Sequence, residues 1–463
     1  MKKHIYWMSA LVICFATLSV SCNKDRDGEK SEAEKLLDLP YSKLTPDQQK
    51  AKLEQESINF LQESQHLANS PALKAIENLA NLFDRSEPNI PEPIEKVNDV
   101  KDIFNLEDVT GVFTWNNAQG RWIETPSSTE LKFVFPAVEG GTTNNATLTV
   151  TTQNSGITFT ETWWDYRCES YWDPYWGWQY DCEDIEREMV YHLPNSAVGT
   201  LTINNSEAAK IQFGAEYKNG KEVPETATYK MTTNDGYEWS WMVDKVKEQK
   251  ISMKLSRNGN SLLEAVANAT TNIDKLTDLV IEAMEEDNEL DIEDVYKNLG
   301  KADAVIKLMG DLMLVNVITD GENFARELVK LAEWINDRNE ELWDLQEGTS
   351  QHATLFNQYQ REAVEREMKI YNDFLGSALI STKDNYKIAD MVAFAERDED
   401  YDWYHYLYYG QKIYRYHLNF YLKFNDNTLI EAETYFGSGF NLLINEWEEF
   451  LKAFGIEFDD DDY

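Results

Sequence analysis

Two cysteines, Cys168 and Cys182, stand with thirteen residues between them in the stretch that runs from Trp163 to Cys182. Nine of the twenty residues of that stretch are Trp or Tyr. Thiols so placed support two chemistries: oxidation to a disulfide, or one half of a tetrahedral metal site. The metal site needs a second Cys pair or a suitably spaced His pair, and the chain offers neither. Of the four cysteines, Cys14 sits in an apolar N-terminal run and Cys22 directly after it. An isolated pair in an exported chain reads as a disulfide.

The pairing fixes a geometry. If Cys168 and Cys182 face each other across two antiparallel strands, Tyr166 opposes Asp184, Trp164 opposes Glu186, Thr162 opposes Glu188, Thr160 opposes Val190 and Thr158 opposes His192. That face is mostly polar. The other face pairs Trp163 with Arg187, Glu161 with Met189, Phe159 with Tyr191 and Ile157 with Leu193. It is largely apolar, suited to covering a core, and would make Trp163 a core residue. A one-residue slip would mix the faces, so the disulfide and the alternation select one register. In the chain-entropy treatment, a bond closing such a loop stabilises by roughly 3 kcal/mol.

Beyond the disulfide lies the tip, Tyr171 to Trp178, bent by Asp173-Pro174 and Gly177. Its candidate contact residues are Tyr171, Trp172, Tyr175, Trp176 and Trp178. Three placements fit the composition. Folded back, the rings cover a neighbouring element, as large aromatics do. Exposed, they stack on sugar rings or on another protein. At a membrane interface they meet headgroups, against which Asp165, Glu169, Asp173, Asp181 and Glu183 argue.

Other chemistry is sparse. There is no Gly-x-Ser-x-Gly elbow, no His-Glu-x-x-His helix and no phosphate-binding glycine loop. With 83 acidic residues, a chance carboxylate pair for glycoside hydrolysis has no specificity. Glu286 to Asp291 is an acidic run, but Ile292 stands where a calcium loop requires Gly. The sequence therefore assigns no catalytic residue, no metal and no cofactor.

The N-terminus supplies an address. Lys2 and Lys3 precede an apolar run from Ile5 to Val20. That is too short to span a bilayer comfortably, which takes ~20 apolar residues, and it fits the h-region of a secretory signal. The residues Leu18-Ser19-Val20-Ser21-Cys22 resemble a bacterial lipobox, which implies cleavage before Cys22 and acylation of its thiol. A plain secretory signal cut near Ser21 also fits. Asn23-Lys24-Asp25-Arg26-Asp27 resemble the acidic export tag of Bacteroidetes-type surface lipoproteins. That resemblance implies an outer-membrane, lipid-anchored protein facing the cell exterior; an inward-facing lipoprotein with a polar tether is the alternative. Two or more acyl chains anchor stably, at ~0.8 kcal/mol per buried CH₂.

The chain of 463 residues carries a net charge of −40, which becomes −42 once Lys2 and Lys3 leave with the signal. Such a surface repels nucleic acid and anionic headgroups.

These features need elements to hold them. After the signal (1–21), residues 22–44 read as a lipidated flexible tether, with one turn of helix at Glu32–Leu37. Thr45-Pro46-Asp47-Gln48 is a capping box with Pro at the first helical position. It opens the N-terminal helices (45–84), the second starting at Ser70-Pro71. The Pro-rich stretch from Pro88 to Pro93 makes 85–108 a linker. Period-two alternation and regular turn residues make 109–260 an antiparallel β region of about ten strands, paired as a meander, in a sheet long enough to curl. Residues 261–376 read as helical, with helices near 262–286 and 300–318 and an antiparallel helical hairpin over 322–375. Residues 377–463 revert to strands (387–396, 403–409 and the hairpin 414–436) and end in a helix over 441–454. The fold class is α+β: a large curled antiparallel meander with N-terminal helices, a helical segment including a long hairpin, and a C-terminal strand-plus-helix segment.

Three features, the N-terminal signal, the stretch Leu44 to Leu53 and the stretch Tyr421 to Thr428, resemble an uncharacterised Bacteroidetes-type surface lipoprotein family. The resemblance brings no catalytic residues. The residues favour a non-catalytic binding or interaction role, with a glycan or a protein as extracellular ligand and the membrane reached through the anchor. A lipid or apolar-ligand carrier and a carboxylate-based hydrolase are the alternatives.

Overall fold

A computed structural model describes residues 30–52, 62, 66–67, 69–86, 110–173, 177–218, 220–221, 223–245, 250–271, 275, 292–308, 312–346, 349–397 and 412–432. Within 161–191 it describes side chains only at Cys168, Ser170, Cys182 and Val190. The closing helix, the strand expected at 403–409 and residues 87–108 of the linker lie outside the described residues.

The chain is α+β, built on one open, mostly antiparallel sheet of 16 strands. In chain order come helices α1 (Glu32–Leu37) and α2 (Pro71–Ser86), then strands β1 (Gly111–Asn116), β2 (Arg121–Thr125), β3 (Leu131–Phe135), β4 (Ala146–Asp173), β5 (Gly177–Ile203), β6 (Ser206–Glu216), β7 (Thr226–Thr233), β8 (Tyr237–Asp244), β9 (Lys250–Arg257) and β10 (Asn260–Ala269). The short helix α3 (Ile292–Tyr296), β11 (Ala302–Leu308) and β12 (Leu312–Ile318) follow. Then come α4 (Gly321–Trp343), α5 (Ser350–Phe374), β13 (Leu375–Ser381), β14 (Tyr386–Arg397), β15 (Tyr416–Lys423) and β16 (Leu429–Glu431). The strands lie in the order β16 down to β3, then β1 and β2. The meander is broken once: β1 pairs parallel with β3 and antiparallel with β2.

The described residues divide between two compact units, those within 66–240 and those within 30–65 and 241–432. In the first, β1 and β3 bury alternate residues, Phe113 and Trp115, and Leu131, Phe133 and Phe135. Phe83 of α2 stacks on Trp122 at 5.2 Å and meets Phe133 edge-on at 5.5 Å. Offset and edge-to-face pairs of this kind add about 0.5–1.5 kcal/mol beyond area burial. The β5–β6 turn has positive φ at both Asn204 (52°) and Asn205 (63°), the left-handed pair that a two-residue hairpin requires.

In the second unit the sheet is covered on both sides. Helices α4 and α5 form the expected antiparallel hairpin, capped by Asp320 and Thr349. Phe324, Leu331 and Ile370 pack with Ile318 beneath it. On the other face, Ala33 with Leu36, Leu37 and Leu39 covers Met313, Val315, Val317, Ala378 and Ile380.

That second contact corrects the tether. Residues 30–44 are a docked strap rather than a flexible leader. Ser31 and Glu34 form a capping box at the start of α1. The backbone then joins β14: Ser42 N–H donates to the Lys387 carbonyl at 2.8 Å, and Lys387 N–H donates to the Pro40 carbonyl at 2.9 Å. The capping box at Thr45 forms as its sequence indicates, with Thr45 N–H donating to Gln48 Oε1 at 3.0 Å and Gln48 N–H donating to Thr45 Oγ1 at 3.4 Å.

The helical reading of 261–376 is the second correction. Residues 260–269 are β10, and the helix expected at 300–318 is the hairpin β11–β12. All seven residues of β12, Leu312 to Ile318, are buried. A central strand buried on both faces reads as a continuous apolar run, which periodicity cannot tell from a buried helix. The strand β13, which follows α5 without a loop, was absent from the sequence reading altogether. At the other end of the linker, Arg85 and Ser86 belong to α2.

Candidate functional site

The stapled hairpin forms in the register that the disulfide selects. From Ile157 opposite Leu193 to Asp173 opposite Gly177, seventeen successive pairs follow without a slip. Cys168 opposes Cys182, and a disulfide joins them. The strands expected separately at 146–152 and 156–166 are one strand, β4, and those expected at 184–193 and 199–203 are one strand, β5. Irregularities between Gln153 and Ile157 mark the join, where Gly156 takes a φ of +81°.

That join divides the strands. Below it, β4 pairs with β3 through residues 146–150, and β5 pairs with β6 through residues 196–203. Above it, the described pairings give the arm no third strand. At about 3.4 Å per residue the arm is about 54 Å long. Thr158, Phe159, Thr160 and Val190 are exposed near its base, Phe159 at 39% and Val190 at 55%. The apolar face therefore does not cover a core at Phe159. Cys168, Ser170 and Cys182 are also exposed.

Of the contact residues, Tyr171 lies opposite Gln179, and Trp172 opposite Trp178, inside the ladder. Pairing runs on past the disulfide to Asp173 opposite Gly177, the two positions between which the sequence places the bend. Tyr175 and Trp176 fall between, outside the described residues, as does Cys22. The side chains of Trp163, Tyr171, Trp172 and Trp178 are likewise not described.

A second constellation escaped the sequence reading. It lies on the strap side of β14–β16. Asn419, 9% exposed, donates through Nδ2 to Glu396 Oε2 at 3.0 Å and to Glu431 Oε1 at 2.6 Å. Tyr421 donates its hydroxyl to the other Glu396 oxygen and meets Phe394 edge-on at 5.1 Å. Burial, then the Glu396 hydrogen bond, push the Tyr421 hydroxyl up to about 12. Both Glu396 oxygens accept hydrogen bonds already, so the group is a polar lock across three strands. The residues alternate along β15, but the two glutamates are distant in sequence and indistinguishable from many other acids.

Further along the same face, Tyr41 of the strap donates to Asp390. Asp390 also pairs with Lys387 at 2.8 Å. A β-bulge at Ile388 brings these two side chains onto one face. The Lys387 ammonium lies 4.6 Å from the Tyr41 ring centroid and donates to the Leu37 carbonyl at 3.0 Å. Burial and Asp390 raise the Tyr41 hydroxyl well above the usual tyrosine range.

Among the described residues, no group of three or more His, Cys, Asp or Glu is placed to hold a metal ion, and no helix is long and apolar enough to cross a membrane. The class that fold and site define is an open-sheet α+β protein bearing a disulfide-stapled β-arm. Compared with family models, curated proteins and solved structures, the chain matches none.

Proposed function

We propose that the chain is a surface-anchored lipoprotein with a non-catalytic binding or interaction role, and that the arm is its contact element. One observation carries the reading: a seventeen-pair, two-stranded, disulfide-stapled ribbon with exposed residues at its base. A two-stranded ribbon alone in water is marginal at best. A chain that keeps one, and staples it, gains reach rather than core. The aromatic residues concentrate toward the far end of that reach, Tyr171 to Trp178. Rigid aromatic anchors are what glycan and protein contacts use, and the acidic neighbours disfavour a membrane headgroup. Lipidation at Cys22 would place the body at the outer-membrane surface, facing the exterior. The Glu396–Asn419–Glu431 arrangement does not argue for hydrolysis, because its carboxylates are committed to structural hydrogen bonds.

The test is binding of the wild-type chain to a glycan array and to surface proteins, beside the Trp172→Ala/Trp176→Ala variant. The variant should lose at least tenfold in affinity with an unchanged melting temperature. A wild-type chain that binds no glycan or protein and yields extractable lipid would instead favour the carrier.

A further inference from the structure

We infer that the arm is a thiol-addressable switch, rigid when Cys168 and Cys182 are joined and frayed from its tip when they are reduced. The inference rests on the binding reading only for its consequence, since the arm's order would then decide whether its aromatic residues are presented together.

Three observations carry it. First, both cysteines are exposed, and access is one determinant of exchange rate. Second, the bond is the only covalent tie in a ribbon that has no third strand among the described pairings. Beyond it lie five pairs, Glu169 opposite Asp181 to Asp173 opposite Gly177. A segment of that size, paired on one side only, does not hold itself. Third, the stability of the body is lodged elsewhere. Phe113, Trp122 and Phe133 of β1 to β3 form an aromatic core with Phe83 of α2, and β4 and β5 are held in the sheet by residues 146–150 and 196–203, outside the arm. Opening the arm therefore leaves the sheet folded.

The chemical step is ordinary exchange. A thiolate of a dithiol reductant attacks the sulfur of one cysteine, and the S–S bond breaks to release the other as a thiolate. The second thiol of the reductant then displaces the mixed disulfide. Two electrons pass to the protein, its two thiolates take up two protons, and the reductant leaves as a cyclic disulfide.

The experiment is amide hydrogen exchange on the full chain, oxidised and after native incubation with dithiothreitol, with alkylation and mass analysis of the Cys168 and Cys182 peptides to count free thiols. Reduction should proceed without loss of the folded signal. Exchange should accelerate at least tenfold across 165–185, less toward 157 and 193, and not at all in β1, β3 or the α4–α5 hairpin. The Cys168→Ser/Cys182→Ser variant should reproduce the reduced pattern. Three results would each overturn the inference: thiols that stay oxidised under native conditions, an arm whose exchange is unchanged by reduction, or acceleration spread through the body. None of these readouts needs a ligand, so failure of the glycan and protein binding tests leaves them standing. A binding-competent arm insensitive to reduction would sink the switch alone.

Discussion

The carboxamide of Asn372 makes both backbone hydrogen bonds of Ala393. Its Nδ2 donates to the Ala393 carbonyl at 2.9 Å, and its Oδ1 accepts from the Ala393 N–H at 2.9 Å. The need for this arises from register. β13 pairs with β14 only from Tyr386 to Asp390, so from Met391 onward β14 has β15 on one side and, among the described residues, no strand on the other. The last turn of α5 supplies the missing partner with a side chain. An open edge within a buried region is a liability that proteins cover with helices or loops.

Replacing Asn372 with Ala removes both bonds and leaves the N–H and carbonyl of Ala393, a residue only 2% exposed, without partners. A buried polar group left unsatisfied costs about 1–3 kcal/mol. We expect Asn372→Ala to lower stability by about 2–4 kcal/mol in urea denaturation, and Asn372→Asp, which keeps the acceptor but turns a carboxylate oxygen toward the Ala393 carbonyl, to lower it as well. A loss below about 0.5 kcal/mol would mean that water replaces the side chain without penalty.

The α4 start is set by a backbone crossing. A Cβ on Gly321 would lie 2.1 Å from the Gly300 carbonyl oxygen, and one on Gly300 would lie 2.3 Å from Thr270 Oγ1. The first contact is with backbone, which cannot swing aside. Gly321→Ala should therefore cost about 2–3 kcal/mol, as overpacking does. Gly120→Ala is the control: its surroundings are open, and its φ of +62° should cost only about 1–2 kcal/mol. Thermal unfolding of the two variants ranks them; a Gly120 variant less stable than the Gly321 variant would refute the crossing argument.

Legibility in the sequence followed how local the cause was. The arm's register was readable because a covalent pair and an alternation agreed on it. The capping box at Thr45 was readable because it depends on a few neighbouring residues. Strands β11 to β13 were not. Leu312 to Ile318 has no polar period, since helices cover one face and the strap the other. The strap itself was invisible for a related reason: its polar composition suits a tether, and its docking depends on Lys387 and Asp390, some 350 positions away. The Glu396–Asn419–Glu431 lock is likewise a product of strand pairing.

Alkaline pH should separate the Tyr421 hydroxyl from other groups. Its pKa is raised from about 10 to about 12 in the folded chain, so the folded state holds the proton more tightly. The stabilisation is complete below the unfolded value and is lost as pH rises from 10 through 12. Because the side chain is partly solvated, the effect should be screened to on the order of 1 kcal/mol. Wild type should lose that much more stability than Tyr421→Phe between pH 9 and pH 12 in isothermal urea titrations. Parallel curves for the two proteins would remove Tyr421 from the alkaline transition.

The strap makes the last prediction. Lys43 is exposed and offers trypsin a site, but the backbone around it is pinned by Ser42 to Lys387 and by the Asn425 amide, which donates to the Ser42 carbonyl at 2.7 Å. Cleavage needs an extended, free segment, so its rate reports the population of undocked strap. Ala33 is 1% exposed against Met313, Val315 and Val317. Placing a carboxylate there buries a charge without a partner, which the strap avoids by lifting off. Ala33→Glu should accelerate cleavage after Lys43 at least tenfold in limited proteolysis, with the α4–α5 hairpin still intact. Tyr41→Phe, which removes only the hydroxyl bond to Asp390, should give a smaller acceleration. A wild-type chain cut at Lys43 as fast as an unstructured peptide would restore the flexible tether that the sequence alone suggests.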